Sequence, residues 1–286
     1  MIEFCGKKII FMLCSDCNIK CEHCYIGYKG NRDPDEILRI TKELKKKYDI
    51  FFNGTEILLE LKYLKCLKEV GQYSIMSNGI LLKDEKIRQQ LKKYGIKRIG
   101  ISYHMDMQNK ISKINDEYIL SLIRTLVNEG FEVKLMTTIT NKNYYKILEF
   151  CEVARNLKVH TIKFTNFLRS GNAKNMKEDL TLNKDQLNTF FNLLKEARRK
   201  YDKKILNIAR CGTFGNNIEH KTNFSCPAIT NQVTITPDNK VYPCFFLAGV
   251  VDPIGELIND KVYLYENYKH NCSECITKNL LANRGE

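Results

Sequence analysis

Tryptophan is absent from the 286 residues, and proline occurs only 5 times. No run of about eighteen apolar residues occurs, so the sequence offers no membrane-spanning helix. The first residues, Met1 to Lys8, lead straight into a strand-like run and carry no secretory signal pattern. These absences predict a cytoplasmic protein with no membrane partner. Also missing is a compact basic stripe with interleaved aromatics, which disfavours a nucleic-acid partner despite the net charge of +13. The lysines are spread, as in Lys45–Lys47 and Lys92–Lys93, and read as solvated helix faces that would also attract an acidic peptide.

What is present in excess is cysteine, with 12 residues. In a reducing compartment disulfides are disfavoured, so metal binding or catalysis explains them better. Cys14, Cys17, Cys21 and Cys24 cluster near the start, and Cys211, Cys226, Cys244, Cys272 and Cys275 fall in the last quarter. Cys66 and Cys151 lie inside helical patterns, where a small buried hydrophobe is the simpler role.

From Lys8 to about Lys200 short apolar runs alternate with longer amphipathic ones. Strands are predicted at Ile9–Leu13, Ile50–Phe52, Tyr73–Met76, Arg98–Ser102, Glu132–Thr138 and Thr161–Thr165. Helices are predicted at Pro34–Tyr48, Leu59–Glu69, Asp84–Tyr94, Asp116–Glu129, Tyr144–Leu157 and Lys184–Tyr201, with Gly95 and Gly130 as stops. Six βα units in series give an α/β fold with a parallel sheet, either open or a partial barrel, and place the chemistry at the C-terminal strand ends. Near residue 205 the pattern changes. Val233–Thr236 and Lys240–Tyr242 flank Pro237-Asp238-Asn239, a hairpin with its turn. The division is therefore 1–205 and 206–286, the second part lacking the apolar content for a core of its own and relying on a bound metal centre for organisation.

Cys17-Asn-Ile-Lys-Cys21-Glu-His-Cys24 lies just after the first long strand. Three thiolates on one loop suit soft iron, and a cubane cluster held by three keeps one iron open to another ligand. Zinc is the competing reading, although its sites usually pair Cys-x2-Cys units. Cys14 makes such a pair with Cys17 but falls at the strand's end and is read as a bystander. In the tail, Cys226 and Cys244 bracket the hairpin and Cys272-x2-Cys275 closes the set, which spacing alone leaves open between structural zinc and a second cluster.

The Cys-x3-Cys-x2-Cys spacing after the first strand resembles the signature of the radical S-adenosylmethionine (SAM) superfamily. His23 stands where that family usually has an aromatic residue near the adenine. Asn53-Gly54-Thr55-Glu56 resembles the Gly-Gly-Glu motif that holds the methionine amino group. It departs at Asn53, at Thr55 for the second glycine, and at Ile57 for a common proline; Glu56 retains the charge. Ser77-Asn78-Gly79 resembles the Thr/Ser-Asn-Gly segment, and Ser102 matches a polar position that contacts ribose or carboxylate. The resemblance implies a partial (β/α)6 barrel over roughly residues 8–205. It implies a 4Fe-4S cluster on Cys17, Cys21 and Cys24, and reductive cleavage of SAM to a 5′-deoxyadenosyl radical that abstracts a substrate hydrogen. Cys226-Pro-Ala and Thr236-Pro-Asp-Asn-Lys-Val-Tyr-Pro-Cys244 resemble the start of a SPASM or twitch module. This implies an auxiliary 4Fe-4S cluster on Cys226, Cys244, Cys272 and Cys275.

Most radical enzymes carrying such modules act on peptides, so the leading expectation is crosslinking, epimerisation or oxidation of a ribosomally made precursor peptide. The barrel begins almost at residue 1, so a separate leader-peptide-binding protein is a candidate partner, beside a flavodoxin- or ferredoxin-type electron donor. The alternatives are a small-molecule dehydrogenase acting on a sugar or aminocyclitol alcohol and, in another class, a non-enzymatic zinc-binding module. Cys211 is unassigned between a substitute ligand, a hydrogen-atom donor and an inert thiol. Arg169 and Asn172 are either contacts at the barrel mouth or ordinary loop caps.

Overall fold

The computed structural model describes residues 1–214, 225–268, 275–277 and 280. A short β1 (Ile2–Glu3) precedes β2 (Lys8–Met12), α1 (Pro34–Leu44), β3 (Asp49–Asn53), α2 (Tyr63–Glu69), β4 (Ser74–Ser77) and α3 (Glu85–Lys93). Then come β5 (Arg98–Ser102), α4 (Gln108–Ser112), α5 (Asp116–Asn128), β6 (Glu132–Ile139), α6 (Ile147–Asn156), β7 (Thr161–Asn166), α7 (Lys184–Lys200) and β8 (Asn207–Arg210). Strands β2 and β3 pair in parallel, as do β4 through β8 in order. Between β3 and β4 there is no ladder. The Gln72 side chain spans that seam: its amide donates to the carbonyls of Phe52 (2.9 Å) and Ser74 (3.0 Å), and its oxygen accepts the Phe52 N–H at 2.7 Å. The result is an α/β fold, a partial barrel of six parallel strands, β2 to β7, with β8 added at the edge.

Local chemistry explains these elements. Asp33 caps α1 by accepting from Asp35 and Glu36, and Pro34 occupies the first turn. Asn183 and Gln186 form a capping box on α7. Strand β6 alternates strictly: Val133, Leu135, Thr137 and Ile139 are buried, while Lys134, Met136 and Thr138 are half-buried. Phe164 of β7 meets Phe150 of α6 and Phe190 of α7 edge-on, which identifies the helix-facing side of the sheet. Lys163 and Thr165, on the opposite face, therefore look into the lumen with Lys134 and Met136.

Past residue 225, four antiparallel strands follow: β9 (Gln232–Ile235), β10 (Lys240–Tyr242), β11 (Gly255–Ile258) and β12 (Lys261–Leu264). Strand β9 pairs in parallel with β2, Ile9 opposite Val233, and β12 pairs with β1. Val233, Ile235, Val241, Val262 and Leu264 join one core with Phe4, Ile9 and Phe11. Docking onto the barrel thus gives this region the apolar burial its own sequence lacks. Asn239 takes φ +65°, the left-handed conformation expected of asparagine in that turn.

The helix predicted over Pro34–Tyr48 ends at Leu44. Tyr48 is needed elsewhere: it is buried, stacks on Phe4 and donates to the Phe4 carbonyl. The helix predicted from Tyr144 begins at Ile147, because Asn143 Oδ1 accepts the Thr140 N–H and closes a turn there. Strands β1, β8, β11 and β12 and the short α4 had no strong period to reveal them.

Candidate active site

Where β2 ends at the barrel mouth, the chain enters the loop that carries Cys17, Cys21 and Cys24. Its near side is fixed to the turn after β3. The Cys14 carbonyl accepts from Tyr28 Oη (2.8 Å), Thr55 N (3.1 Å) and Thr55 Oγ1 (3.2 Å), and Asp16 O accepts from Glu56 N at 3.3 Å. Gly54 lies so close that a Cβ would come within 2.7 Å of Ile57 Cγ2 and 3.0 Å of Cys14 Sγ, which explains the glycine. The far side is fixed by the turn after β7. Asn172 Nδ2 donates to the Cys21 carbonyl (3.2 Å), Ser170 Oγ to the Tyr25 carbonyl (3.3 Å) and Ala173 N to the Cys24 carbonyl (3.4 Å).

The three thiols are half-buried. Burial pushes the Cys21 thiol up to about 12, with Cys24 and then Cys17 adding to it, and burial also raises Cys17 and Cys24. The sulfurs are thus within one another's electrostatic reach. Among the described residues, however, no three His, Cys, Asp or Glu side chains converge on a point as ligands of one ion. A multi-atom cluster tolerates that spread better than a lone tetrahedral metal does. Cys14 is buried, and burial raises its thiol to about 11.

The motifs after successive strands meet beside Cys17. Glu56, with no exposed surface, accepts on Oε2 from Ser77 Oγ and Asn78 N, each at 2.9 Å, and on Oε1 from Leu58 N. Burial pushes its carboxyl above the usual range, opposed by those same donors. Asn78 Nδ2 donates to Asn18 Oδ1 at 2.7 Å and reaches Cys17 Sγ at 3.6 Å. Ser102, half-buried, ends β5 opposite Met136. His23 lies edge-to-face with His104, ring centroids 5.0 Å apart. Sequence reasoning missed His104, which lies past the end of β5 in the turn that follows and so carries no strand period to announce it.

Deeper in the lumen, burial, and after it the neighbouring Lys163, pulls the Lys134 ammonium below its ordinary value. Arg169 faces Asp179 at 3.7 Å and donates to the Met176 carbonyl, a loop cap.

On the C-terminal side, Cys226 and Cys275 are buried and Cys244 is half-buried; Cys272 lies outside the described residues. Burial pushes the Cys244 thiol up, and it feels Cys275 and also Cys211, whose N–H is held by the Phe164 carbonyl of β7. Tyr25, directly after Cys24, packs at 4.9 Å on Phe246, two residues after Cys244, and burial, then Tyr28 and the thiols of Cys24, Cys244 and Cys211, push its phenol up. That ring therefore sits between the two cysteine groups. Gly27 and Gly249 allow the contact, since a Cβ on Gly27 would stand 2.8 Å from the Gly249 oxygen.

A sequence model described as the Radical SAM superfamily matches residues 12–154. GTP 3′,8-cyclase of Helicobacter pylori (strain HPAG1) is 25% identical over 270 residues, covering 85% of this chain and 81% of that protein. The crystal structure of Streptococcus suis SuiB bound to precursor peptide SuiA superposes with a TM-score of 0.69 at 15% identity. The match covers 88% of this chain and 62% of that one. The structure of anSMEcpe with bound AdoMet and a peptide gives 0.61 at 18% identity, over 88% and 77%. The solved structures share the fold, and the sequence match takes in the cysteine loop, the Glu56 turn, Ser77-Asn78 and Ser102: this chain belongs to the radical SAM superfamily.

Proposed function

We propose that this enzyme cleaves SAM at a 4Fe-4S cluster held by Cys17, Cys21 and Cys24 and takes a hydrogen atom from a ribosomally made peptide. The observation that carries the reading is the convergence at the barrel mouth. Three half-buried thiols share one loop, and the Glu56–Ser77–Asn78 network reaches the first of them. Membership of an enzyme superfamily removes the non-enzymatic zinc module. When bound, cluster and SAM together supply an electron and a sulfonium whose cleavage yields the 5′-deoxyadenosyl radical.

The chain's own residues bind and orient. Asn78 holds the Cys17 side of the loop, while Asn172 and Ala173 hold the Cys21 and Cys24 side. Glu56, with Gly54 and Thr55 shaping its turn, offers a buried carboxylate for the methionine ammonium. His23 and Ser102 flank the adenosyl end, and the lumen walls keep water from the reacting carbon. Cys226, Cys244, Cys272 and Cys275 are assigned to an auxiliary 4Fe-4S cluster, with Tyr25 packed between the two groups; a flavodoxin- or ferredoxin-type protein would donate electrons. We retain the division at 205/206 into barrel and auxiliary module as a division of the sequence, with β8 of the second part extending the barrel sheet and β1 of the first pairing with β12.

SuiB, the fold neighbour crystallised with its precursor peptide, supports the peptide reading. So does a cavity of about 590 Å³ along β8, the edge of its sheet, where Arg198, Lys203 and Arg210 would receive an acidic extended segment. A second reading is favoured by Lys134 and Lys163, which suit an anionic small molecule such as a nucleotide; the Helicobacter relative is named for GTP. A sugar or aminocyclitol alcohol has less support, because two lumen cations add nothing to the binding of a neutral sugar and repel the ammonium of an aminocyclitol.

The test is anaerobic reconstitution, reduction with dithionite and addition of SAM. We expect 5′-deoxyadenosine, and its loss together with most of the iron when Cys17, Cys21 and Cys24 are all changed to Ala. Peptides encoded near the gene, followed by mass change, then compete against nucleoside triphosphates. No 5′-deoxyadenosine from iron-loaded protein would refute the reading; turnover of a nucleotide with every peptide unchanged would move the substrate to the second.

A further inference from the structure

His104 is 2% exposed, yet its Nε2 has no hydrogen-bond partner among the described residues. Its Nδ1 accepts the Thr138 backbone N–H at 3.3 Å, which assigns the ring proton of a neutral imidazole to Nε2. Burial, and after it His23, drives His104 well below the ordinary histidine range, so the ring is neutral. Its backbone N–H is satisfied by Gln108 Oε1 at 2.7 Å, and Gln108 in turn donates to Ser112. What is left is a single buried N–H donor, Nε2, held in place by β6 on one side and by the His23 ring on the other.

An N–H buried without an acceptor is costly, and a fold that keeps one beside a binding loop implies an acceptor supplied from outside the chain. We infer that His104 donates its Nε2–H to an uncharged acceptor on the adenosyl group of SAM, a purine ring nitrogen or a ribose oxygen, and so positions the nucleoside end of the cofactor. Three observations select this ligand. His104 contacts His23, the residue immediately before Cys24, so a group bound at the cluster loop passes it. Ser102 ends β5 two residues before it, and the His104 ring lies against Thr138 at the end of the neighbouring β6, so both residues stand at the same end of the sheet. A neutral donor suits a neutral acceptor, whereas a carboxylate or phosphate is served better by Lys134 and Lys163 deeper in the lumen. This makes His104 a positioning residue, and the inference rests on the proposal that SAM binds at Cys17, Cys21 and Cys24.

The experiment measures binding rather than turnover. S-Adenosylhomocysteine and 5′-methylthioadenosine are titrated calorimetrically into anaerobically reconstituted wild type, His104→Phe, His104→Gln and His104→Asn, with iron content and melting temperature recorded for each. A glutamine amide reaches the Nε2 position, whereas asparagine stops near Nδ1. We expect His104→Phe and His104→Asn to bind both nucleosides about 3- to 10-fold more weakly, the loss of one neutral hydrogen bond, and His104→Gln to stay within about 2-fold of wild type. Unchanged affinity in His104→Phe overturns the inference, since the donor then serves an ordered water or nothing. Equal weakening in His104→Gln and His104→Asn also overturns it, because the effect is then packing. If iron-loaded wild type binds neither nucleoside, the inference falls together with the proposed function. If wild type binds and makes 5′-deoxyadenosine while the variants match it, only the inference falls.

Discussion

Gly171 shows how tightly single residues constrain the cysteine loop. It takes φ +56°, and a Cβ there would stand 2.5 Å from the Ile26 oxygen and 2.7 Å from the Cys24 oxygen. Both the backbone conformation and the space exclude a side chain, and the atoms in the way are backbone, which does not yield cheaply. Gly171→Ala should therefore displace the segment bearing Cys24, lower stability by about 1–3 kcal/mol and reduce the iron retained after reconstitution. Asn172→Ala loses only the 3.2 Å bond to the Cys21 carbonyl, so about 0.5–1.5 kcal/mol with iron retained is expected. Iron analysis and denaturation of the two variants check this; wild-type iron in Gly171→Ala would dismiss the buttress. Cys17, Cys21 and Cys24 were legible in the sequence because their spacing is local, and Glu56, Ser77 and Asn78 because each follows a strand in order. Gly171 was hidden. The Ser170 hydroxyl reaches a carbonyl 145 residues away, and nothing local announces such a contact.

At the level of elements, the barrel has a seam that one side chain closes. Without a ladder between β3 and β4, the Phe52 N–H and C=O would be buried unpaired; Gln72 supplies both partners and also meets the Ser74 carbonyl. Gln72→Ala leaves these groups without partners, so a loss of about 2–3 kcal/mol is expected, with faster amide exchange at Phe52 than at residues in the centre of β6. Urea unfolding with hydrogen exchange by mass spectrometry reads both quantities, and a change below about 0.5 kcal/mol with protection intact would show that water replaces the side chain. The six barrel strands were readable because most of them concentrate β-branched or aromatic residues between turn signals and all alternate with amphipathic helices, and Arg98–Ser102 agrees to the residue. Strands β11 and β12 are four residues each and owe their pairing to each other and to β1, so their order comes from tertiary contact rather than from sequence period.

For the molecule as a whole, the question is whether the C-terminal strands form a separate unit or complete the barrel. Strand β9 continues the sheet beyond β2, and the apolar residues of both parts share one core. Arg32 locks the join: it is 5% exposed, donates to Asn239 Oδ1 at 3.0 Å and to the Thr236 carbonyl at 2.6 Å, and covers the Phe11 ring at 5.0 Å. Burial lowers its guanidinium to about 10, so it stays charged at neutral pH, and its backbone carbonyl is held in turn by Tyr63. Arg32→Met keeps the stem over Phe11 but strands the hairpin-turn acceptors, at an expected cost of about 1.5–3 kcal/mol. Because the core is continuous, that cost should fall on the entire molecule, moving a single transition in which far-ultraviolet circular dichroism and tyrosine fluorescence coincide. An independent module would behave differently. Arg32→Met would then split the curve, the hairpin region melting first while the barrel kept its wild-type midpoint, and a cluster on Cys226, Cys244, Cys272 and Cys275 would have to organise those strands without help from β2.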